Sequence, residues 1–236
     1  MAQSLTPLIF LPGMMCDARL FGPQIANLSA DREILVAPIT GHETVQALAA
    51  EILQNAPPTF ALAGLSMGGI VAMEVIAQAP DRVDKLALID TNPRAELFAV
   101  AAKRGPQIEA VKAGYLKDVM HNQLMPHYLA DATQRPEIVK LCWQMASDLG
   151  ADVFIRQSIA LRDRSDQQDT LRNYLGKTLV LCGRHDALCP IERHDLMHSL
   201  LPNSTLEIVE NAGHIPTLEQ PEITTAALVR WLKEDA

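Results

Sequence analysis

The stretch Gly64-Leu65-Ser66-Met67-Gly68 decides the fold of this 236-residue chain. It fits the pattern Gly-x-Ser-x-Gly, in which a serine lies on a sharp turn between a strand and a helix with its hydroxyl exposed. Small residues are needed at the outer positions because the strained backbone of such a turn leaves no room for side chains. A chain of this length contains the pattern by chance roughly one time in ten, so the neighbouring elements have to support it.

The apolar pattern around this stretch predicts alternating strands and helices. Short apolar runs ended by breakers predict six strands, at residues 8–11, 33–37, 59–65, 85–89, 178–181 and 205–209. Apolar residues at helical spacing predict helices at 43–53, 69–78, 193–200 and 219–233. Because the strand runs are continuously apolar, they indicate a mostly parallel sheet covered by helices on both faces, an α/β fold of about six strands.

One long segment departs from this alternation. Residues 93–175 contain no convincing strand, but they contain helical patterns such as 137–145 and 153–161. The segment follows the strand that ends near Asp90, at the sheet edge where ligands bind in such folds. We therefore predict a core of residues 1–92 and 176–236 and a helical cap of residues 93–175, called the cap segment below. Ordinary crossover helices are the alternative, but crossovers usually need far fewer residues.

Composition narrows the class of protein. The net charge is −8 and no basic stripe is visible, which argues against binding to nucleic acid. The apolar run at residues 8–11 is too short for a signal peptide or a membrane span. The cysteines have no metal-site or disulfide-framework spacing, so we expect free thiols and no metal. Free thiols in a chain without an export signal predict a cytoplasmic location. We also expect no cofactor. These cysteines are Cys16, Cys142, Cys182 and Cys189.

A serine hydroxyl becomes a useful nucleophile only when a base can take its proton and a buried acid orients that base. His214 follows the last predicted strand, and Asp186 follows the strand before it. Both positions lie at the carboxyl edge of the sheet, the same edge as Ser66. We predict His214 as the base and Asp186 as the acid. Asp90, which also ends a strand, remains a rival acid.

Other histidines suggest weaker alternatives. His185 is predicted to be exposed or locally hydrogen-bonded. His194 and His198 have the i, i+4 spacing of a helical metal site, although a solvated helix face is the favoured interpretation.

With these residues identified, the chain resembles the α/β-hydrolase fold family. Ser66, Asp186 and His214 follow the family's Ser–Asp–His order. The sequences at 183–186 and 212–216 match the Gly-x-x-Asp and Gly-His signatures of small capped serine esterases, of the carboxylesterase and pimeloyl-ester-esterase type. The resemblance implies the family fold without its first hairpin, because too few residues precede the first strand.

The resemblance also implies the groups that hold the oxyanion. In the family, one backbone N–H comes from the residue after a His-Gly pair and the other from the residue after the nucleophile. Those positions are Met14 and Met67 here, and Pro12-Gly13 replaces the His-Gly pair.

The predicted activity is hydrolysis of carboxylic esters with small to medium apolar acyl groups through an acyl-enzyme, with a small-molecule acyl substrate as the partner. Methionines near the expected site suit a pocket for varied acyl groups, although they could equally be core residues. Cleavage of a thioester, an amide or a carbon–carbon bond by the same residues is the alternative. A lyase or a non-catalytic receptor on this fold is a further alternative from a different class.

Overall fold

A computed structural model describes residues 5–131, 133 and 135–233. Its sheet has six strands, as the apolar runs predict: β1 (Leu8–Leu11), β2 (Ile34–Val36), β3 (Phe60–Leu65), β4 (Val83–Ile89), β5 (Lys177–Gly183) and β6 (Ser204–Val209). The predicted α/β class is thereby confirmed.

All neighbouring strands are parallel, in the order β2-β1-β3-β4-β5-β6. The chain passes from β1 outward to β2 and then returns to the other side of β1 to form β3. Strand order therefore reverses between β1 and β3, and the loops that leave their carboxyl ends diverge there. Open α/β sheets bind ligands at such a reversal point.

Helices cover both faces of the sheet. Those outside the cap segment are α1 (Gly22–Leu28), α2 (Val45–Asn55), α3 (Met67–Gln78), α8 (Ile191–Leu200), α9 (Pro216–Glu219) and α10 (Pro221–Lys233). Successive residues of β1 belong to different apolar clusters, with Leu8 and Phe10 in one and Ile9 and Leu11 in the other. Since side chains alternate along a strand, a buried cluster lies on each face.

The cap segment is helical within its described residues. It contains α4 (Phe98–Lys112), α5 (Leu116–Val119), a π-helical turn (Met120–Leu124), α6 (Pro136–Arg162) and α7 (Gln168–Asn173). The two helices predicted within 137–161 form α6, which is interrupted at Gly150 with φ 80° and ψ −179°. The assignment of residues 93–175 to a separate cap domain stays a prediction.

None of the helices in the described ranges combines the length and apolar character that crossing a membrane requires.

Candidate active site

Ser66 occupies a strained turn between β3 and α3. Its φ of 55° lies in the left-handed region that is unfavourable for residues with a side chain. A Cβ on Gly64 would lie 2.3 Å from the carbonyl oxygen of Gly68, and a Cβ on Gly68 would lie 2.0 Å from that of Leu11. Both glycines of the motif are therefore required by close backbone contacts.

The end of β4 holds this turn in place. The Ser66 N–H donates to the carbonyl of Ile89 at 2.9 Å, and the hydroxyl of Thr91 donates to the Ser66 carbonyl at 2.7 Å. A Cβ on Gly69 would lie 2.7 Å from the side chain of Thr91. Ile89 thus holds the N–H of the serine and Thr91 holds its carbonyl, a role of Thr91 that no sequence motif predicts.

The structure brings the three predicted residues together. Nε2 of His214 lies 2.8 Å from Oγ of Ser66, and Nδ1 of His214 lies 2.8 Å from Oδ2 of Asp186. An ionised carboxylate can only accept hydrogen bonds, so Nδ1 carries the proton in this pair and Nε2 is free to accept one. Asp186 and His214 are buried, while Ser66 is partly exposed.

Asp186 is held as a carboxylate. Its Oδ1 accepts the N–H groups of Leu188 and Cys189 at 2.8 and 2.9 Å. Burial by itself would raise the pKa of Asp186, but the attraction and hydrogen bond of His214, together with the Cys189 N–H, lower that pKa to about 2.

Asp90, the rival acid, is placed differently. Its Oδ1 accepts the N–H of Gly183 at 2.9 Å, while Asp186 is the carboxylate that meets His214. Burial first, and then the charge of Asp186, raise the pKa of Asp90 well above its ordinary value. Burial and the neighbouring carboxylate thus favour the neutral form of Asp90, whereas Asp186 favours the ionised form.

The loop that carries His214 is bonded to the cap segment. The His214 N–H donates to the carbonyl of Tyr128 at 2.8 Å. The buried carboxylate of Glu219 accepts the N–H groups of Gly213 and Ala130, both at 2.8 Å. Glu219 therefore joins the histidine loop to residues 128–130 of the cap segment, a role that no sequence motif predicts.

The positions predicted for the oxyanion donors border the serine. Met14 and Met67 line the same cavity as Ser66 and His214. Met67 is the first residue of α3, so its N–H has no helical carbonyl to bond.

A buried glutamine shapes the loop after β1. The N–H of Met15, which has φ 56°, donates to Oε1 of Gln157 at 2.9 Å. Nε2 of the same side chain donates to the carbonyl of Ile39 at 3.0 Å. Gln157 thereby supports the neighbouring Met14. A polar residue on the otherwise apolar face of α6 was the sequence signal for it.

The prediction of a solvated helix face was wrong for His194. This side chain is fully buried, and its Nε2 accepts the N–H of Thr91 at 3.2 Å. Burial lowers the pKa of His194 to about 4, so the ring is neutral at pH 7. His198 instead bonds Ser204, with 2.8 Å between Nδ1 and Oγ.

The side chains of the site are poorly suited to metal binding or to thiol chemistry. Asp186, Cys189 and His214 offer ligand atoms within 4.8 Å of one another. Two of these groups are already bonded to each other, and burial raises the pKa of the Cys189 thiol, which disfavours the thiolate that a metal needs. All four cysteines are free and buried, and burial raises the pKa of each thiol.

Ser66 opens into a cavity of about 390 Å³. Many of its lining side chains are apolar. The cap segment contributes Leu97, Val100, Leu124 and Leu161, and the rest of the chain contributes Ile70, Leu188 and Ile215. A cavity of this size, with apolar side chains and polar groups in its wall, is typical of small-molecule sites.

A strained serine at the reversal point of a parallel sheet is hydrogen-bonded to a histidine, which is in turn hydrogen-bonded to a buried carboxylate. This is the arrangement of a hydrolase. The sequence profile of the alpha/beta hydrolase fold matches residues 44–221, so the chain belongs to that family. It is an alpha/beta hydrolase, and proteins similar to it are named as esterases.

The particular relatives are distant in sequence. The pimeloyl-[acyl-carrier protein] methyl ester esterase of Aliivibrio salmonicida is 24% identical over 97% of this chain and 92% of its own length. The biotin biosynthesis bifunctional protein of Teredinibacter turnerae is 23% identical over 97% of this chain, which spans only 45% of that longer protein. Among solved structures, a thermophilic esterase from Thermogutta terrifontis superposes with a TM-score of 0.87 at 27% identity, over 97% of this chain and 89% of its own.

Proposed function

We propose that this protein hydrolyses carboxylic esters through an acyl-enzyme on Ser66, with His214 as base and Asp186 as the acid that orients it. The single observation that carries the proposal is the continuous pair of 2.8 Å contacts from Ser66 through His214 to Asp186. An activated serine needs both contacts, because the base must take the proton and keep the correct tautomer.

In the first half of the reaction, Nε2 of His214 takes the Ser66 proton as Oγ attacks the ester carbonyl. Asp186 stabilises the imidazolium that forms, and the imidazolium then gives its proton to the departing alcohol. The N–H groups of Met14 and Met67 receive the negative charge on the carbonyl oxygen, and each such donor contributes about 3–4 kcal/mol to the transition state. Water, activated by His214, then releases the acid and restores the serine.

The shape of the site supports ester substrates with a small or medium apolar acyl group. The cavity of about 390 Å³ has apolar side chains from α3 and from the cap segment around Ser66. We propose that the cap segment covers the acyl group and selects its length. A relative named as a methyl ester esterase favours ester over amide cleavage.

The test combines a chemical label and a substitution. A fluorophosphonate probe is expected to label the wild-type protein once, at Ser66, and aryl esters of graded acyl length are expected to show a preferred length. Ser66→Ala should abolish labelling and lower kcat by about 10⁴-fold or more. Full esterase turnover in Ser66→Ala would overturn the mechanism, and absence of labelling in the wild type would favour a non-catalytic receptor.

A further inference from the structure

The wall of the cavity carries an excess of positive charge in addition to its apolar side chains. Four cationic side chains line the cavity, and Glu96 is the only carboxylate among those lining residues that the structure describes. The cations are Lys103, Arg104, Arg164 and Arg193. An ester with an uncharged acyl group makes no use of such a wall, so the charge calls for a different ligand chemistry.

Glu96 neutralises only part of this charge. Its Oε2 accepts Nη2 of Arg104 at 2.8 Å, and its Oε1 lies 2.9 Å from Nη1 of Arg164. The Glu96 and Arg164 side chains are 7% and 5% exposed, so this pairing is shielded from solvent. Two guanidinium groups that share one carboxylate keep a net positive charge, and partial burial makes that charge effective over a longer range.

The remaining contacts hold the guanidinium groups in place without neutralising them. Arg164 donates through Nε to the carbonyl of Arg94 at 3.0 Å and through Nη1 to that of Leu161 at 3.1 Å. Nη1 of Arg104 lies 3.8 Å from Sδ of Met14, on the loop that we propose for the oxyanion. Arg104 therefore contacts the side chain of Met14 at the wall of the cavity.

Two further cations add to the wall. Among the described residues, Lys103 and Arg193 form no ion pair with a carboxylate, and both line the cavity. Asp186 lies nearby, but its carboxylate oxygens already accept hydrogen bonds from His214 and from backbone N–H groups. The cavity thus combines apolar side chains and uncompensated cations in its wall.

We propose that this wall binds a carboxylate of the substrate, so that the preferred ester has an apolar chain with an anionic group at the end remote from the reacting carbonyl. The inference rests on the proposed function and specifies its substrate class. Guanidinium groups suit the role because they offer several N–H donors in a fixed plane that matches the two oxygens of a carboxylate.

The test compares matched esters. Mono-p-nitrophenyl adipate and mono-p-nitrophenyl suberate are each compared with the neutral ester in which an isopropyl group replaces the free carboxylate. At low salt, kcat/KM of the wild type should favour the anionic ester by about tenfold, and about 0.5 M NaCl should reduce this ratio. Equal kcat/KM values for both members of both pairs would overturn the inference.

Substitutions locate the effect. Lys103→Met and Arg193→Met are the chosen variants because neither residue pairs with Glu96, so both substitutions leave the ion pairs of Glu96 intact. Each should lower the anionic-to-neutral ratio by about three- to tenfold. Lys112→Met is the matched control, since Lys112 lies on the same helix as Lys103, is exposed and does not line the cavity. An equal loss of the ratio in the control would overturn the inference.

A binding measurement separates this inference from the proposed function. Calorimetric titration with adipate monoamide, compared with its neutral isopropyl counterpart, requires no turnover. Preferred binding of the anion without any ester hydrolysis would contradict the proposed function alone. Hydrolysis of neutral esters without preferred binding of the anion would contradict this inference alone.

Discussion

Gly68→Ala tests whether the serine turn depends on close contact between backbones. The added Cβ would lie 2.0 Å from the carbonyl oxygen of Leu11 and 2.7 Å from that of Pro12. Real Cβ atoms essentially never approach other atoms below 3.0 Å, so the turn and the end of β1 must separate by about 1 Å. Neither contact is with a flexible side chain, and the strain therefore has to be absorbed by the backbone.

The expected cost has a structural and a catalytic part. Forcing a methyl group into such a contact destabilises a folded protein by about 1–3 kcal/mol. For a chain of this size that loss corresponds to a Tm lower by about 2–12 °C. The displaced backbone leads directly into Gly13 and Met14, so the proposed oxyanion donor moves relative to Ser66. A displacement of about 1 Å at a reacting centre lowers the rate by about 10²-fold.

The assay measures Tm by calorimetry and kcat/KM with an aryl ester on the same samples. Two controls receive the same methyl group at positions where no backbone atom lies closer than 3.5 Å to it. In Gly13→Ala the nearest atoms lie at 3.5 Å, and in Gly41→Ala the nearest atom is the far end of the Glu51 side chain at 3.1 Å. Both controls should stay within about 0.5 kcal/mol of wild-type stability. A Gly68→Ala protein with wild-type Tm and kcat/KM would refute the reasoning.

Two further predictions concern the groups around the histidine. The pKa of Asp186 in the folded protein is about 2, below the reference value of 3.8, so the ionised side chain stabilises the fold above pH 4 and this contribution of about 2 kcal/mol is lost as the pH falls from 4 to 2. Urea titrations should show the unfolding free energies of wild type and Asp186→Asn converging by that amount over this pH range. A constant difference between the two proteins would contradict the prediction. Glu219→Gln leaves only one acceptor oxygen for the N–H groups of Gly213 and Ala130, so it should lower the free energy of unfolding by about 1–3 kcal/mol. Esterase assays should show kcat falling by a larger factor than KM rises. An unchanged kcat at reduced Tm would mean that Glu219 supports the fold but does not position the base.

The sheet could be predicted because its strands carry the information locally. Residues 8–11 and 59–65 are apolar without interruption and end at breakers or at the serine motif, which is what a strand buried on both faces requires. The structure places the corresponding strands at Leu8–Leu11 and Phe60–Leu65. The positions of Ser66, Asp186 and His214 at strand ends followed from the same information.

The supporting residues could not be predicted because they act on backbone groups far away in the chain. Thr91 bonds the carbonyl of Ser66, Gln157 bonds the N–H of Met15, and Glu219 bonds the N–H of Ala130. The prediction for His194 was wrong for the same reason. Its helical spacing gave no sign that the ring would be buried against the backbone of Thr91, 103 positions earlier.

The bonds between the histidine loop and residues 128–130 bear on how this protein could be re-engineered. The 93–175 segment looks like a module that could be exchanged between relatives to change selectivity. Yet the backbone of His214 is hydrogen-bonded to Tyr128, inside that module. A graft with boundaries chosen only at the ends of β4 and β5 would replace one half of this contact. Chimaeras should therefore transfer Glu219 and the 211–216 loop together with the donor's counterpart of residues 128–130.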